Sequence, residues 1–455
     1  MTKVINSFPG YEFVYSKEDN KYHNMYRGTD IGFGGYIISN PGIYGNVALL
    51  DIVSLHPNSI RGMNSFGDYT KNFTDILDAR VAIKRGDYET AKKMLDGRLA
   101  PYLDDKSKAK DLAQALKIAI NSVYGLTAAS FDNPFRDPRN KNNVVALKGA
   151  LFMRTLQDEV EKRGFKIVAI KTDSIKIADA TKEIVDFCME FAKPYGYQFE
   201  FESFYDKICQ INDADYVARY KDVATCEEMF GFIPSDNEKH PGEWTATGKQ
   251  FQTPYVFKTL FTGEPIVFED LCETKEVKTA LYLDKNEHLP DVSGYERQFE
   301  KTEDKYKKGL LSDITFESTC SELNARIAEG HDYHFIGKVS NFCPIKPGCG
   351  GGILVAKRGD KYSAATGTKG YRWLEAEMVK TLDKQDDIDM SYYKKLVDDM
   401  FSAISQYGDA EWFISDDPYV PKKQIPPDFM NIPEGSPDQI PLGDMVEDDE
   451  GLPFL

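Results

Sequence analysis

Two apolar stretches, NVALLDIVSL (46–55) and FKIVAIKTDSIKI (165–177), each embed a single carboxylate, Asp51 and Asp173, among aliphatic and β-branched neighbours. An ionised carboxylate in such a setting is costly unless it is paired or binds a metal. Both runs read as buried strands, the first ending in a turn at His56-Pro57 and carrying Asp51 at its end, the second carrying Asp173 in its middle. Two such strands side by side bring both acids to one edge of a sheet. Taken singly, either acid also reads as a strand-end cap.

Between the strands, TDILDARVAIKRGDYETAKKMLDGRL and KAKDLAQALKIAINSVYG carry apolar residues at three- and four-residue spacing, and Pro101 and the DDKSK stretch separate them. This pattern predicts a helical hairpin projecting from a sheet. VALKGALFMRTLQDEVEK repeats the helical period and stops before Gly164, a helix terminator. The expected order is strand, helical hairpin, helix, strand. On the hairpin, Arg80 and Lys84 are spaced i, i+4, as are Lys117 and Asn121, so each pair occupies one helical face. Four such polar heads could converge on a triphosphate: arginine offers a planar fork, lysine a point charge, asparagine a neutral hydrogen bond. Solvated helix faces are the alternative.

Composition narrows the classes. With 56 basic against 73 acidic residues the net charge is −17, which excludes a broad basic coat for nucleic acid but not a local basic channel. After Lys423 there is no basic residue and eight acidic ones, and eight of the 22 prolines lie between Pro418 and Pro453, so residues 416–455 read as a disordered acidic, Pro-rich tail. The length suits about three domains. Seven scattered cysteines without a zinc-like spacing suggest reduced thiols. Neither a signal segment nor a membrane-length apolar run is present, and the expectation is a cytoplasmic protein with no membrane partner.

With these residues in view a family resemblance emerges. Asp51-Ile-Val-Ser-Leu-His-Pro-Asn-Ser-Ile60 resembles the first polymerase motif of family B DNA polymerases, Lys117-Ile-Ala-Ile-Asn-Ser-Val-Tyr-Gly125 the second, and Thr172-Asp173-Ser174 the core of the third. Order and spacing match. Arg80-x-x-x-Lys84 falls where the family's fingers meet the incoming triphosphate, Gly34-Gly35-Tyr36 is similar to its template-strand element, and GEWTATGKQFQTPYVFKTLF (242–261) resembles segments where palm meets thumb. The chain through residue 255 looks like a phage-type palm and fingers.

The resemblance implies an α+β, right-hand architecture: residues 1–66 an N-terminal segment and first part of the palm, 67–125 helical-hairpin fingers, 126–255 palm, 256–415 thumb. It implies templated DNA synthesis from dNTPs on primer-template DNA, with two Mg²⁺ held by Asp51, Asp173 and the Ile52 carbonyl. Ser54 and Leu55 amides, Arg80, Lys84, Lys117 and Asn121 would bind the triphosphate, His56 would sit at the sugar gate, and Tyr124 and Gly125 would lie under the nascent base pair. Gly34, Gly35, Tyr36, Arg219, Tyr220 and Lys249 would contact DNA.

Departures from the family pattern carry expectations of their own. His56 stands where the family usually has Tyr, which puts ribonucleotide exclusion in question, and Lys171 replaces the first Asp of the third motif. Only 50 residues precede Asp51, so proofreading is expected to be absent or on a separate exonuclease chain. The interval to Lys117 lacks the insertion of protein-primed relatives, which implies a nucleic-acid primer. In the thumb region Lys369 and Arg372 offer a grip on duplex backbone, with a helix start around buried Trp373 as the alternative, and Gly350-Gly351-Gly352 reads as a tight turn. The acidic terminus ending Leu452-Pro-Phe-Leu455 is similar to tips that dock on sliding clamps or other replisome partners. A catalytically silent palm-type subunit that binds primer-template DNA or replisome partners is the alternative from a different class, and a nucleotide-sugar transferase leaves the hairpin pairs unexplained.

Overall fold

The structure, a computed structural model, describes residues 8–133, 143–247, 254–359 and 361–420. It divides into two compact units, one holding the described residues up to Thr245 and from Asp416 onward, the other those from Ala246 to Ser415.

In the first unit, β1 (Tyr11–Ser16), β2 (Lys21–Tyr26) and β3 (Thr29–Asp30) form a small antiparallel sheet. β4 (Ile37–Ser39) and β5 (Gly42–Ile52) are followed by helices α1 (Leu55–Met63), α2 (Thr70–Lys84), α3 (Tyr88–Lys93), α4 (Lys106–Thr127) and α5 (Val144–Lys162). Then come β6 (Lys166–Lys171), β7 (Ser174–Ala178), α6 (Lys182–Ala192), β8 (Phe199–Gln210), β9 (Tyr216–Tyr220), α7 (Val223–Phe230), α8 (Ser235–Lys239) and β10 (Trp244–Thr247). The larger sheet has the order β10-β9-β8-β5-β7-β6-β4, with β5 paired antiparallel to both β7 and β8.

Strand alternation explains how β5 is used. Ala48, Leu50 and Ile52 enter a core with Leu151, Phe152 and Leu156 of α5 and Phe187 of α6, whereas Val47 and Leu49 enter a second core with Tyr205, Ala218 and Tyr220 on the opposite face. Asp51 continues the Val47–Leu49 row, at the point where the strand leaves its apolar cover. The hairpin helices α2 and α4 pack through Ala79, Ile83, Leu99, Leu103 and Ala109, small and aliphatic residues that allow close approach. Asp105 caps α4 by accepting from the Ser107 amide (2.7 Å), and Gly164, at φ +80°, follows α5 in the conformation that favours glycine.

Two expected elements differ. The stretch 165–177 is not one strand but a hairpin, because Thr172 takes a left-handed conformation (φ 59°) and turns the chain between β6 and β7. The turn at His56-Pro57 is instead the first turn of α1, where proline costs nothing because its missing amide hydrogen has no intrahelical acceptor.

The second unit carries α9 (Lys258–Phe261), β11 (Glu273–Asp284), α10 (Ser293–Lys307), α11 (Asp313–Ala328), β12 (Tyr333–Ile345), β13 (Ile353–Arg358), β14 (Lys361–Ala364), β15 (Arg372–Glu375), α12 (Ala376–Thr381), α13 (Met390–Ser405) and α14 (Ala410–Ile414). Its sheet runs β14-β13-β11-β12-β15, all antiparallel. Trp373 lies on β15 rather than in a helix start, fully buried, with Nε1–H donating to the Thr368 carbonyl (3.1 Å). Gly351 (φ +73°) turns beneath it, and a Cβ there would meet the Trp373 carbonyl oxygen at 2.6 Å. Among the described residues no helix is long and apolar enough to cross a membrane.

Candidate active site

The β5 ladders bring the two motif acids together. Asp51 faces Ser174 on β7 and Glu200 on β8, and the Ile52 amide donates to the Asp173 carbonyl (2.8 Å), which ties the hairpin tip to the end of β5. Directly opposed residues of an antiparallel pair have Cβ atoms about 5 Å apart, so Asp51 and Glu200 are like charges in contact range. Burial first, then Asp173, Glu202 and Glu200, push the Asp51 carboxyl up to about 8, and burial raises Asp173 as well. Lys84 acts in the opposite direction on Asp51. Half-buried acids that repel one another suit a divalent cation.

Glu200 and Glu202 were not singled out in the sequence, although Phe199-Glu-Phe-Glu202 alternates as a strand does. Register shows why both reach the site face. Leu49 pairs with Ser203 but Leu50 with Phe201, so Glu202 is an extra, bulged residue. The bulge lets Phe201 and Phe204, three apart, share one core, while Glu200 stays on the Asp51 face and Glu202 remains electrostatically coupled to Asp51.

The hairpin helix α2 lies over this edge. Arg80 Nη1 donates to Ser54 Oγ (3.2 Å), Lys84 Nζ pairs with Glu200 Oε2 (2.8 Å), and Arg85 Nη2 donates to Gln198 Oε1 (3.4 Å). Ser54, at φ 53°, precedes α1, and amides in the first turn of a helix have no intrahelical acceptor, which suits an anion; Leu55 at this position has its side chain buried. Lys117, Asn121 and Gly125 are exposed on one face of α4. Lys117 and Asn121 make no hydrogen bond or ion pair with the described residues, so this pair is not brought onto the acids by any direct contact. His56 stacks flat on Tyr124 (centroids 4.1 Å, 9°), Tyr124 donates to Asn143 Oδ1 (3.2 Å), and burial lowers the His56 pKa, leaving a neutral ring.

The expected DNA contacts divide. Gly34 is exposed, and Gly35 (φ +144°) packs so closely on the hairpin tip that a Cβ would lie 2.7 Å from the Thr172 side chain. The Tyr36 carbonyl accepts from the Thr172 amide (2.9 Å). Its ring is buried, and its hydroxyl donates to Gln157 Oε1 (2.7 Å). Tyr220 is likewise buried between Tyr205 and His240. Arg219 donates to the Asp416 carbonyl (3.3 Å) and pairs with its carboxylate (3.5 Å), and Tyr419 donates to Asp179 (2.6 Å), so residues 416–420 pack on this unit instead of starting a free tail. Lys249 and Leu452–Leu455 lie outside the described residues.

No group of three or more His, Cys, Asp or Glu side chains arranged for a metal occurs among the described residues. Two carboxylates and a backbone carbonyl nonetheless fit Mg²⁺, which is commonly held by one or two carboxylates and completed by substrate phosphates and water.

Comparison with known proteins follows the same direction. No family model matches the chain. It is 31% identical over 157 residues to DNA polymerase II of Escherichia coli, covering 31% of this chain and 19% of that protein. It is 27% identical over 192 residues to DNA polymerase 1 of Sulfolobus acidocaldarius, covering 35% and 21% respectively. The chain thus spans about a fifth of the length of these curated relatives. The family B DNA polymerase structure from Pyrobaculum calidifontis aligns with 90% of this chain and 50% of its own, at 13% identity and a TM-score of 0.39. The chain is therefore similar, at low identity, to DNA polymerases.

Proposed function

We propose that this chain is a DNA-directed DNA polymerase that extends a primer 3′-hydroxyl from dNTPs with release of pyrophosphate. The observation that carries this reading is the meeting of Asp51 and Asp173 at one sheet edge beneath Arg80 and Lys84. The sheet of the first unit serves as palm, the α2–α4 hairpin as fingers and the second unit as thumb. Asp51, Asp173 and the Ile52 carbonyl would hold two Mg²⁺, which when bound supply a lowered hydroxyl pKa and charge neutralisation at the phosphates. Arg80, Lys84, Lys117, Asn121 and the Ser54 and Leu55 amides bind the triphosphate. His56, stacked on Tyr124, gives the sugar a flat neutral wall, and Tyr124 with Gly125 underlies the new base pair. Gly34, Gly35, Arg219 and Lys249 flank the DNA; Tyr36 and Tyr220 support these contacts by packing. The primer is a nucleic acid, and Leu452–Leu455 recruits a clamp or other replisome partner.

Primer extension by the purified chain with Mg²⁺ and four dNTPs, beside Asp51→Asn, tests the reading. Extension by the wild type alone supports it. A wild type that binds primer-template but never extends it overturns it in favour of a catalytically silent subunit.

A further inference from the structure

The least expected partner in the site is the one Lys84 already has. Lys84 is the last residue of α2, and its ammonium lies 2.8 Å from Glu200 Oε2. Neither group is buried, with 54% and 32% of their side chains exposed, so both are accessible to a ligand. Glu200 is held opposite Asp51 by the β5–β8 ladder and also exerts its field on Arg80. The neighbouring Arg80–Ser54 and Arg85–Gln198 contacts dock the same helix on the same edge, so Lys84 can leave Glu200 without the helix coming away.

A phosphate oxygen and a carboxylate oxygen make the same charge-assisted bond to an ammonium, and one ammonium has few donors to share between them. Glu200 therefore has a role that repulsion from Asp51 alone would select against. On the reading above, in which Lys84 binds the triphosphate, we propose that Glu200 is a positioning residue that stands in for a phosphate on Lys84 until a nucleotide arrives. The pair keeps the lysine extended toward the sheet, and the nucleotide enters by exchange with an internal anion. Entry then favours ligands with enough phosphate charge to displace a carboxylate.

Glu200→Gln isolates the charge, because the amide oxygen still accepts from Lys84. Single-turnover primer extension at varied dNTP concentration should give an apparent Kd for dNTP lower by about 2- to 5-fold, the range expected for an exposed ion pair. In a Lys84→Met background, compared through kcat/KM where saturation is not reached, the Glu200→Gln change should have no effect. An unchanged Kd in Glu200→Gln overturns the proposal. So does a gain that persists without Lys84, which would place the action of Glu200 on the field at Asp51. A wild-type chain that incorporates no nucleotide overturns the polymerase reading itself and the proposal with it, and is seen before any variant is compared.

Discussion

Replacing Asp51 by Asn should stabilise the metal-free protein while abolishing synthesis. The Asp51 carboxyl titrates near 3.8 when exposed and is pushed up to about 8 in the fold, so the folded state favours its protonated form. The sign follows from proton counting: between those values the native chain binds more protons than the unfolded one, and stability falls as pH rises from about 4 to about 8. Three pH units of that interval lie below neutrality, each worth about 1.4 kcal/mol, which sets a ceiling of about 4 kcal/mol at pH 7. Local relaxation and the nearby Lys84 reduce this, and roughly 2 kcal/mol is expected, or about 4–8 °C in the melting temperature of a unit of this size. Asn has almost the same shape and no charge to bury. The assay is thermal unfolding of wild type and Asp51→Asn in a chelator at pH 4 and pH 7, then with Mg²⁺. The variant should melt higher at pH 7, the gap should close at pH 4, and Mg²⁺ should raise the wild type more. A variant no more stable than wild type at pH 7, or a gap equal at both pH values, would refute the electrostatic account of this edge.

His56→Ala should increase ribonucleotide incorporation relative to dNTP use, read by primer extension with each NTP; an unchanged preference places sugar selection elsewhere. Gly35→Ala should push the Thr172 turn and displace Asp173, lowering the rate of incorporation roughly 10- to 100-fold and lowering the melting temperature as well. Trp373→Ala should cost about 3–5 kcal/mol in denaturant unfolding of the second unit, through the lost volume and the orphaned Thr368 carbonyl.

Local patterns were the legible part. The apolar run to Asp51, the periodicity of α2 and α4 and the Gly164 stop depend on neighbours within a turn or a strand, and each corresponds to an element of the fold. The β6–β7 turn was hidden because its flanks are apolar on both sides and one left-handed threonine makes the reversal. Tyr36 and Tyr220 carry aromatic rings beside motif residues, but whether a ring faces solvent depends on α5 and on Tyr205, partners that no local pattern names. Glu200 was missed for a related reason: its importance comes from β8 pairing with β5, across about 150 residues of chain.

The extra residue at Glu202 makes the length of β8 negotiable at a single place. Removing Glu202 would leave Ser203 opposite Leu49 and Phe201 opposite Leu50, a regular ladder with every other side chain on its present face. Removing Ser203 instead would put Glu202 opposite Leu49 to the same effect, whereas removing Glu200, Phe201 or Phe204 would carry the aromatic row out of the core or Glu200 away from the acids. Deletions that keep the flanking side chains on their faces are therefore confined by geometry to the bulge at 202–203, and a library of single-residue deletions from Glu200 to Phe204 should have its survivors there.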